Sequence, residues 1–221
     1  MNLQIIRIKT MHIETIIVSP FETNCYLVYE DGRNSCVIVD PGDEDDLIQD
    51  RAGELGIVPK AILLTHGHAD HIAAVKPIKE KLNIPIYIGR GDEGMLESPT
   101  ENVSVYFGYK ITCPPADFIV RDGEVITIDS MRFTVFATPG HSRGGVCYFA
   151  DKFLLCGDTL FYGSIGRTDL PGGNYQLLLD SIDRSILTLP DDIICYPGHG
   201  PATTVGEERR NNPFITGRRF V

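Results

Sequence analysis

Thr65-His66-Gly67-His68-Ala69-Asp70-His71 packs four possible metal ligands into six residues, directly after the apolar run Ala61-Ile62-Leu63-Leu64. The run reads as a buried strand whose end delivers the ligands into a loop. Working outward, three more candidates follow, each bracketed by small residues: His141 in Thr138-Pro139-Gly140-His141, Asp158 in Cys156-Gly157-Asp158-Thr159, and His199 in Pro197-Gly198-His199-Gly200. Five of the chain's six histidines thus belong to one pattern. A lone histidine is usually a core or surface residue. Clustered imidazoles with carboxylates are the usual ligands of zinc or iron.

The flanking sequence reads as two β/α halves. Strands are expected at 12–19, 24–30 and 35–39, with Asp31-Gly32 turning a hairpin. A helix over 44–56 opens on acidic residues and closes near Gly56, and Pro59 follows it. A second helix, 70–81, begins at the ligands. The stretch 90–123, with Pro99, Pro114 and Pro115, has little periodicity and reads as an insertion or lid-like segment. Strands at 124–128, 131–137, 146–150 and 153–157, a helix near 174–187 and a strand at 193–196 complete the chain. No fixed-period repeat or low-complexity tract interrupts it.

A chain of 221 residues, 43% of them apolar, can bury one large core, so a single domain over 1–221 is expected. There is no signal-peptide pattern and no stretch of membrane-spanning length, which points to a cytoplasmic protein without a membrane partner. The six cysteines show no C-x-x-C pairing and are expected as free, buried thiols; Cys156, two positions before Asp158, is assigned to core packing rather than ligation. A net charge of −10 excludes a duplex nucleic-acid binder, which needs a basic face. Arg143 and Arg167 still offer local positive charge near the ligand motifs. Arg209-Arg210 and Arg218-Arg219 read as solvated surface charge.

With these motifs in hand, the chain resembles the metallo-β-lactamase-fold hydrolases, and within them the short glyoxalase II type. The resemblance is carried by the ligand motifs together with Asn24-Cys25-Tyr26-Leu27, Val39-Asp40-Pro41-Gly42, Gly157-Asp158-Thr159-Leu160-Phe161, Gly163-Ser164-Ile165-Gly166-Arg167, Gly206-Glu207-Glu208-Arg209 and Asn212-Pro213-Phe214. It implies an αβ/βα sandwich, two mixed sheets face to face with helices outside. It assigns His66, His68 and His141 to one metal and Asp70, His71 and His199 to a second, with Asp158 bridging them. It makes Asp40 a residue that orients a ligand. Two divalent ions would share a hydroxide that attacks a thioester carbonyl, with zinc named first and iron or manganese also fitting the ligands. Asp70 becomes the proton handler. No Gly-x-Ser-x-Gly elbow offers another nucleophile.

The same resemblance implies a small-molecule thioester substrate such as S-lactoylglutathione, and Arg167 occupies the position that contacts the glutathione carboxylate. Asp169 replaces the aromatic residue expected two positions later, and only 22 residues follow His199, where two-domain relatives carry a helical domain. Tyr175 and Arg143 are the candidates to replace those contacts. No cysteine occupies a ligand position, which speaks against lactam hydrolysis. The alternative is a persulfide dioxygenase holding one iron through His66, His141 and Asp158, whose loop also contains Gly-Arg-Thr-Asp, as at 166–169. A non-catalytic electron-transfer module would need an attached redox domain, for which there is no segment. A homo-oligomer is left open.

Overall fold

Strict alternation within the strands sorts the chain into layers. The computed structural model describes residues 10–217, so Arg218-Arg219 lie outside the described residues. Six strands form the first sheet in sequential order: β1 (Met11–Val18), β2 (Thr23–Glu30), β3 (Ser35–Val39), β4 (Val58–Leu63), β5 (Ile86–Gly89) and β6 (Phe118–Val120). The second sheet contains β7 (Val125–Ile128), β8 (Met131–Ala137), β9 (Val146–Ala150), β10 (Phe153–Gly157), β13 (Ile194–Pro197) and β14 (Thr203–Thr204), in the order β14-β13-β10-β9-β8-β7. A small hairpin, β11 (Leu160–Phe161) with β12 (Ser164–Ile165), follows β10. Both sheets are mixed: β3 to β6 run parallel, as do β10 and β13, and the other pairs are antiparallel.

Successive strand residues point to opposite faces, and each face here has its own core. Tyr26, Val28, Val37, Val39 and Leu63 of the first sheet meet Phe133, Val135, Tyr148 and Leu155 of the second in a central cluster. Their neighbours Leu27, Ile38 and Ile62 turn the other way, packing with Ile48 of α1 (Asp45–Glu54) and Ile78 of α3 (Val75–Leu82). On the far side, Leu154, Cys156 and Cys195 pack with Leu178 of α4 (Tyr175–Ser181), Val205 of α5 (Val205–Asn211) and Ile215 of α6 (Pro213–Thr216). Helix, sheet, sheet, helix is the αβ/βα sandwich. Sheets with both faces covered read as nearly continuous apolar runs, which is why 61–64 gave so clear a strand signal.

Three expectations are corrected. The helix expected over 70–81 is two, α2 (Ala69–Ile72) and α3. Pro77 has no N–H for the Ala73 carbonyl, so the chain restarts and seats the proline in the first turn of α3. The helix expected over 174–187 is α4, N-capped by the Asn174 side chain, followed by a wider π turn at Ile182–Ile186. The 90–123 stretch is not wholly an insertion: after 3₁₀ turns at Glu93–Leu96 and Ser104–Phe107 it returns as β6, pairing in parallel with β5. Buried Asn102 stands in for a ladder there, donating to the carbonyls of Met95 and Ile111 and accepting from Ser104 N–H.

All six cysteines are free and buried, as expected. Arg209 is no solvated charge: its guanidinium donates to the carbonyls of Leu187 and Leu189 at 2.7 Å. No helix among the described residues is long and apolar enough to cross a membrane.

Candidate metal centre

The candidate ligands all sit just beyond strand ends on one rim of the sandwich. His66 and His68 follow β4, His141 follows β8, Asp158 follows β10 and His199 follows β13, while Asp70 and His71 lie in α2. Short loops at strand ends aim side chains while the packed sheets hold the backbone. Gly198, before His199, is set by space: a Cβ there would collide with the Asp158 carboxylate and the His71 ring.

The rear nitrogen of most rings is held by an acceptor, which decides where the front lone pair goes. His141 Nδ1 donates to the Arg167 carbonyl at 2.8 Å, and His199 Nδ1 to the Phe21 carbonyl at 2.9 Å. His71 Nδ1 donates to Asp40 Oδ2 at 3.1 Å. Thr65 Oγ1 donates to Asp40 Oδ2 at 2.5 Å, which leaves it to accept from His66 Nδ1 at 3.2 Å. In each neutral ring Nε2 then carries a lone pair facing inward. His68 turns the other edge inward, with Nδ1 2.9 Å from His141 Nε2.

The inward atoms form two groups, His66-His68-His141 and Asp70-His71-His199. Asp158 lies between them: Oδ2 is 3.6 Å from His141 Nε2 and 3.7 Å from His199 Nε2, and Oδ1 is 3.4 Å from His71 Nε2. His199 Nε2 is 3.3 Å from Asp70 Oδ2. Donor atoms about 2.0–2.2 Å from a tetrahedral ion are roughly 3.3 Å from one another, so this spacing suits divalent cations. Asp40 also lies near His66 and His71, but its oxygens are engaged by Thr65 N–H, Thr65 Oγ1 and His71 Nδ1, so it orients ligands from behind.

Buried polar atoms are nearly always satisfied. Here His66 Nε2, His68 Nε2, His71 Nε2 and Asp158 Oδ1 are buried without a hydrogen-bond partner. Three of those four face the cluster, and a cation between them is the partner that fits.

The two groups differ in charge. Burial, then the neighbouring His71, His68 and His141, holds His66 well below the ordinary imidazole value, and burial with His141 pushes His68 down to about 3. Both are therefore neutral ligands near pH ~7. In the second group burial would lower His71, but the Asp158 and Asp70 carboxylates prevail and raise it. Burial would raise Asp158 and Asp70, yet His71 leads the surrounding imidazoles in lowering both. The field that keeps a proton on His71 is the field a second cation would use.

The remaining expected site residues flank the cluster. Arg167 enters through its carbonyl on His141, whereas its exposed guanidinium makes two 2.8 Å bonds to Asp169. Arg143 is exposed two positions after His141, its side chain against Gly172. It makes no hydrogen bond or ion pair with the described residues. Tyr175 opens α4, where the preceding Asn174 N–H bonds the Gly140 carbonyl at 2.7 Å.

Sequence reasoning missed two further supports. Asn24 Nδ2 donates to the carbonyls of Pro197 and Gly200, and Tyr26 Oη to that of Pro197, so the two side chains clamp the His199 loop. Buried Asp92 accepts from Gly67 N–H at 3.1 Å, Ser142 Oγ at 2.6 Å and Gly144 N–H at 2.6 Å, tying the His66-His68 loop to the His141 loop. Asn24 lay within a recognised motif; Asp92 had no local signal.

This site on this sandwich defines a metallo-hydrolase, and residues 18–199 match the metallo-beta-lactamase superfamily, to which the chain belongs. Among its relatives, the probable metallo-hydrolase YqgX of Bacillus subtilis is 40% identical, the match covering 90% of this chain and 95% of that one. Hydroxyacylglutathione hydrolase GloC of Haemophilus influenzae is 37% identical over 94% and 100% of the two chains. In three dimensions the chain is similar to BLEG-1, a B3 metallo-beta-lactamase (TM-score 0.90, 42% identity, 93% and 100% covered). It is also similar to TTHA1623 in a di-iron-bound form (0.82, 37%, 91% and 99%) and to ETHE1 from Myxococcus xanthus (0.79, 28%, 93% and 85%).

Proposed function

We propose that the protein is a dinuclear metal-dependent thioester hydrolase, with S-(2-hydroxyacyl)glutathione compounds such as S-lactoylglutathione as the starting substrate class. The observation that carries this reading is the Asp158 carboxylate reaching both three-residue groups, within 3.4–3.7 Å of His71, His141 and His199. His66, His68 and His141 would hold one ion, and Asp70, His71 and His199 the other, with Asp158 shared. When bound, such a pair supplies an acidified water and a Lewis-acid grip on a carbonyl oxygen. Zinc is the first choice, and the di-iron form of a 37% identical structure makes iron the second.

The chain's own groups do the rest. Asp70 is held ionised by His71 and His199 and also borders the open cavity beside the cluster, so its carboxylate can take up a proton during the reaction. Arg143, unpaired beside the His141 loop, is placed to meet the anionic thiol carrier, a task for which the Arg167 fork would first have to leave Asp169. The GloC relative supports the glutathione thioester. Six buried free thiols suit a reducing, cytoplasmic compartment.

Two other readings share the test. Likeness to ETHE1 keeps the mononuclear-iron persulfide dioxygenase in play, and likeness to BLEG-1 does the same for lactam hydrolysis. Protein purified without chelator, then reconstituted separately with zinc, iron and manganese, is analysed for metal and assayed on S-D-lactoylglutathione, on glutathione persulfide with oxygen uptake, and on a chromogenic cephalosporin. The proposal expects two equivalents of metal, about one after His66→Ala, and turnover of the thioester. At most one equivalent, with oxygen consumed on persulfide, would overturn it in favour of the dioxygenase. Lactam turnover without thioester turnover would overturn it in favour of the lactamase.

A further inference from the structure

Beside the second ligand group the surface opens into a cavity of about 510 Å³. Its inner wall is Gly42, Ala69, Asp70 and Ala73, so it begins at the candidate ligands. Its outer wall is aromatic: Phe21 from the turn between β1 and β2, Phe107 at the end of the Ser104–Phe107 3₁₀ turn, and Tyr109 two residues beyond it. The Phe21 and Phe107 rings meet edge to face at 4.9 Å, bridging two loops across the mouth. All three rings are about half exposed, at 42%, 48% and 57%. They roof the cavity rather than fill a core, and the roof is tied to the site because His199 Nδ1 bonds the Phe21 carbonyl.

The charge around the cluster is lopsided. Among the described residues that line the cavity, the carboxyls are Asp43 and Asp70, and there is no lysine or arginine. Arg143, exposed and without an ion pair to the described residues, is on the other flank, two residues from His141. An anionic thiol carrier therefore finds no basic side chain among the described lining of the cavity, whereas Arg143 offers one on the other side. With the thioester carbonyl at the cluster between them, the part of the substrate left to enter the cavity is the acyl chain. A lactoyl methyl would occupy little of it. Clefts of roughly 300–1,000 Å³ with mostly apolar walls hold ligands up to drug size, so a bulky acyl group fits, and rings on the wall favour edge or offset contact with another ring.

We infer that this cavity is the acyl pocket and that the enzyme prefers thioesters of bulky apolar acyl groups, aromatic ones above all, over lactoyl thioesters. The inference rests on the thioester hydrolase proposed above. In the reaction, the water oxygen bonds to the acyl carbon, the C–S bond breaks and the thiol leaves with a proton, so the released acid departs from the cavity.

The test compares S-mandeloylglutathione with S-D-lactoylglutathione on the metal-loaded protein. Burying a phenyl ring should raise kcat/KM for the mandeloyl compound at least ten-fold over the lactoyl one. Ala73→Leu, which fills the inner wall, should bring the ratio close to one, and Phe107→Ala should lower it several-fold. Phe107 is exposed, so its variant remains informative if Ala73→Leu fails to fold. Calorimetry on metal-free protein reads the pocket without turnover: mandeloylglutathione should bind more tightly than lactoylglutathione, and Phe107→Ala should erase the difference. A ratio at or below one that neither variant moves would overturn the acyl pocket while leaving the hydrolase standing. If neither thioester is hydrolysed, the hydrolase reading falls, and calorimetry still decides whether the cavity prefers the aromatic group.

Discussion

Asp92→Ala should damage both the fold and the candidate metal centre. The side chain is fully buried and accepts from Gly67 N–H, Ser142 Oγ and Gly144 N–H. Removing it strands three buried donors at about 1–3 kcal/mol each. Part of that is returned, because burial leads the influences on this carboxyl and raises it despite the three bonds, which shows that the charged form is costly to desolvate. A net loss of about 3 kcal/mol is expected. For a chain of this length that is a fall in Tm of roughly 6–12 °C. Asp92→Asn keeps an acceptor for Gly144 N–H, and the Ser142 hydroxyl can turn to accept from the amide, so only Gly67 N–H faces a donor and the loss is about 1 kcal/mol. Asp122→Ala is the control: it also removes an acceptor, from Ala137 N–H, but at an exposed position, and should cost less than ~1 kcal/mol. Urea unfolding of metal-free protein gives the three values. Metal analysis of the loaded Asp92→Ala protein should show the His66-His68-His141 ion weakened, since both of its loops lose their common tie. An Asp92→Ala variant within 1 kcal/mol of wild type, with full metal content, would refute the reasoning.

Three further outcomes are expected. Asp40→Asn should weaken metal retention about 10–100-fold against a competing chelator, because His71 Nδ1 would lose its carboxylate; asparagine tolerates the left-handed backbone there (φ +50°), so the fold should survive, and unchanged retention would contradict the role. Acid should destabilise the metal-free protein: an unfolded histidine takes up its proton near pH ~6.5, whereas His68 resists until about 3 and His66 is also lowered, so the contribution of this pair is lost as pH falls, at about 2–3 kcal/mol per pH unit once below about pH 5.5. His71 and His199, which are raised, are protonated in both states only below about pH 5.5 and add no slope there, so a flat urea midpoint between about pH 5.5 and 4.5 would rule the account out. Arg143→Ala should raise KM for S-lactoylglutathione roughly ten-fold with kcat nearly unchanged, while Arg167→Ala, losing only its exposed pair with Asp169, should stay within about three-fold; the reverse order would return the carboxylate contact to Arg167.

What could be read from the sequence was whatever sits together in it. His66, His68, Asp70 and His71 share one loop and one helical turn, and the strand before them is buried on both faces, so a single window carried both the fold and half of the candidate site. Pro77 was equally visible, and the break between α2 and α3 was readable from its missing N–H. The strands β5 and β6 were not: each is short, and β6 becomes a strand only by pairing with β5 across 28 intervening residues, 90–117. The supports behind the ligands were least legible, because their partners are remote. Asp92 lies 25 residues from Gly67 and 50 from Ser142, and Asp40 lies 31 from His71, so no local pattern could pair them. Arg167 shows the same boundary from the other side. Its position in the loop suggested a substrate contact, and the residue that engages it is Asp169, the very place where the chain departs from the expected aromatic. A motif can name the atoms that face the reaction, but whether a neighbouring cation is free to meet a substrate depends on who already holds it, and that is decided by the fold.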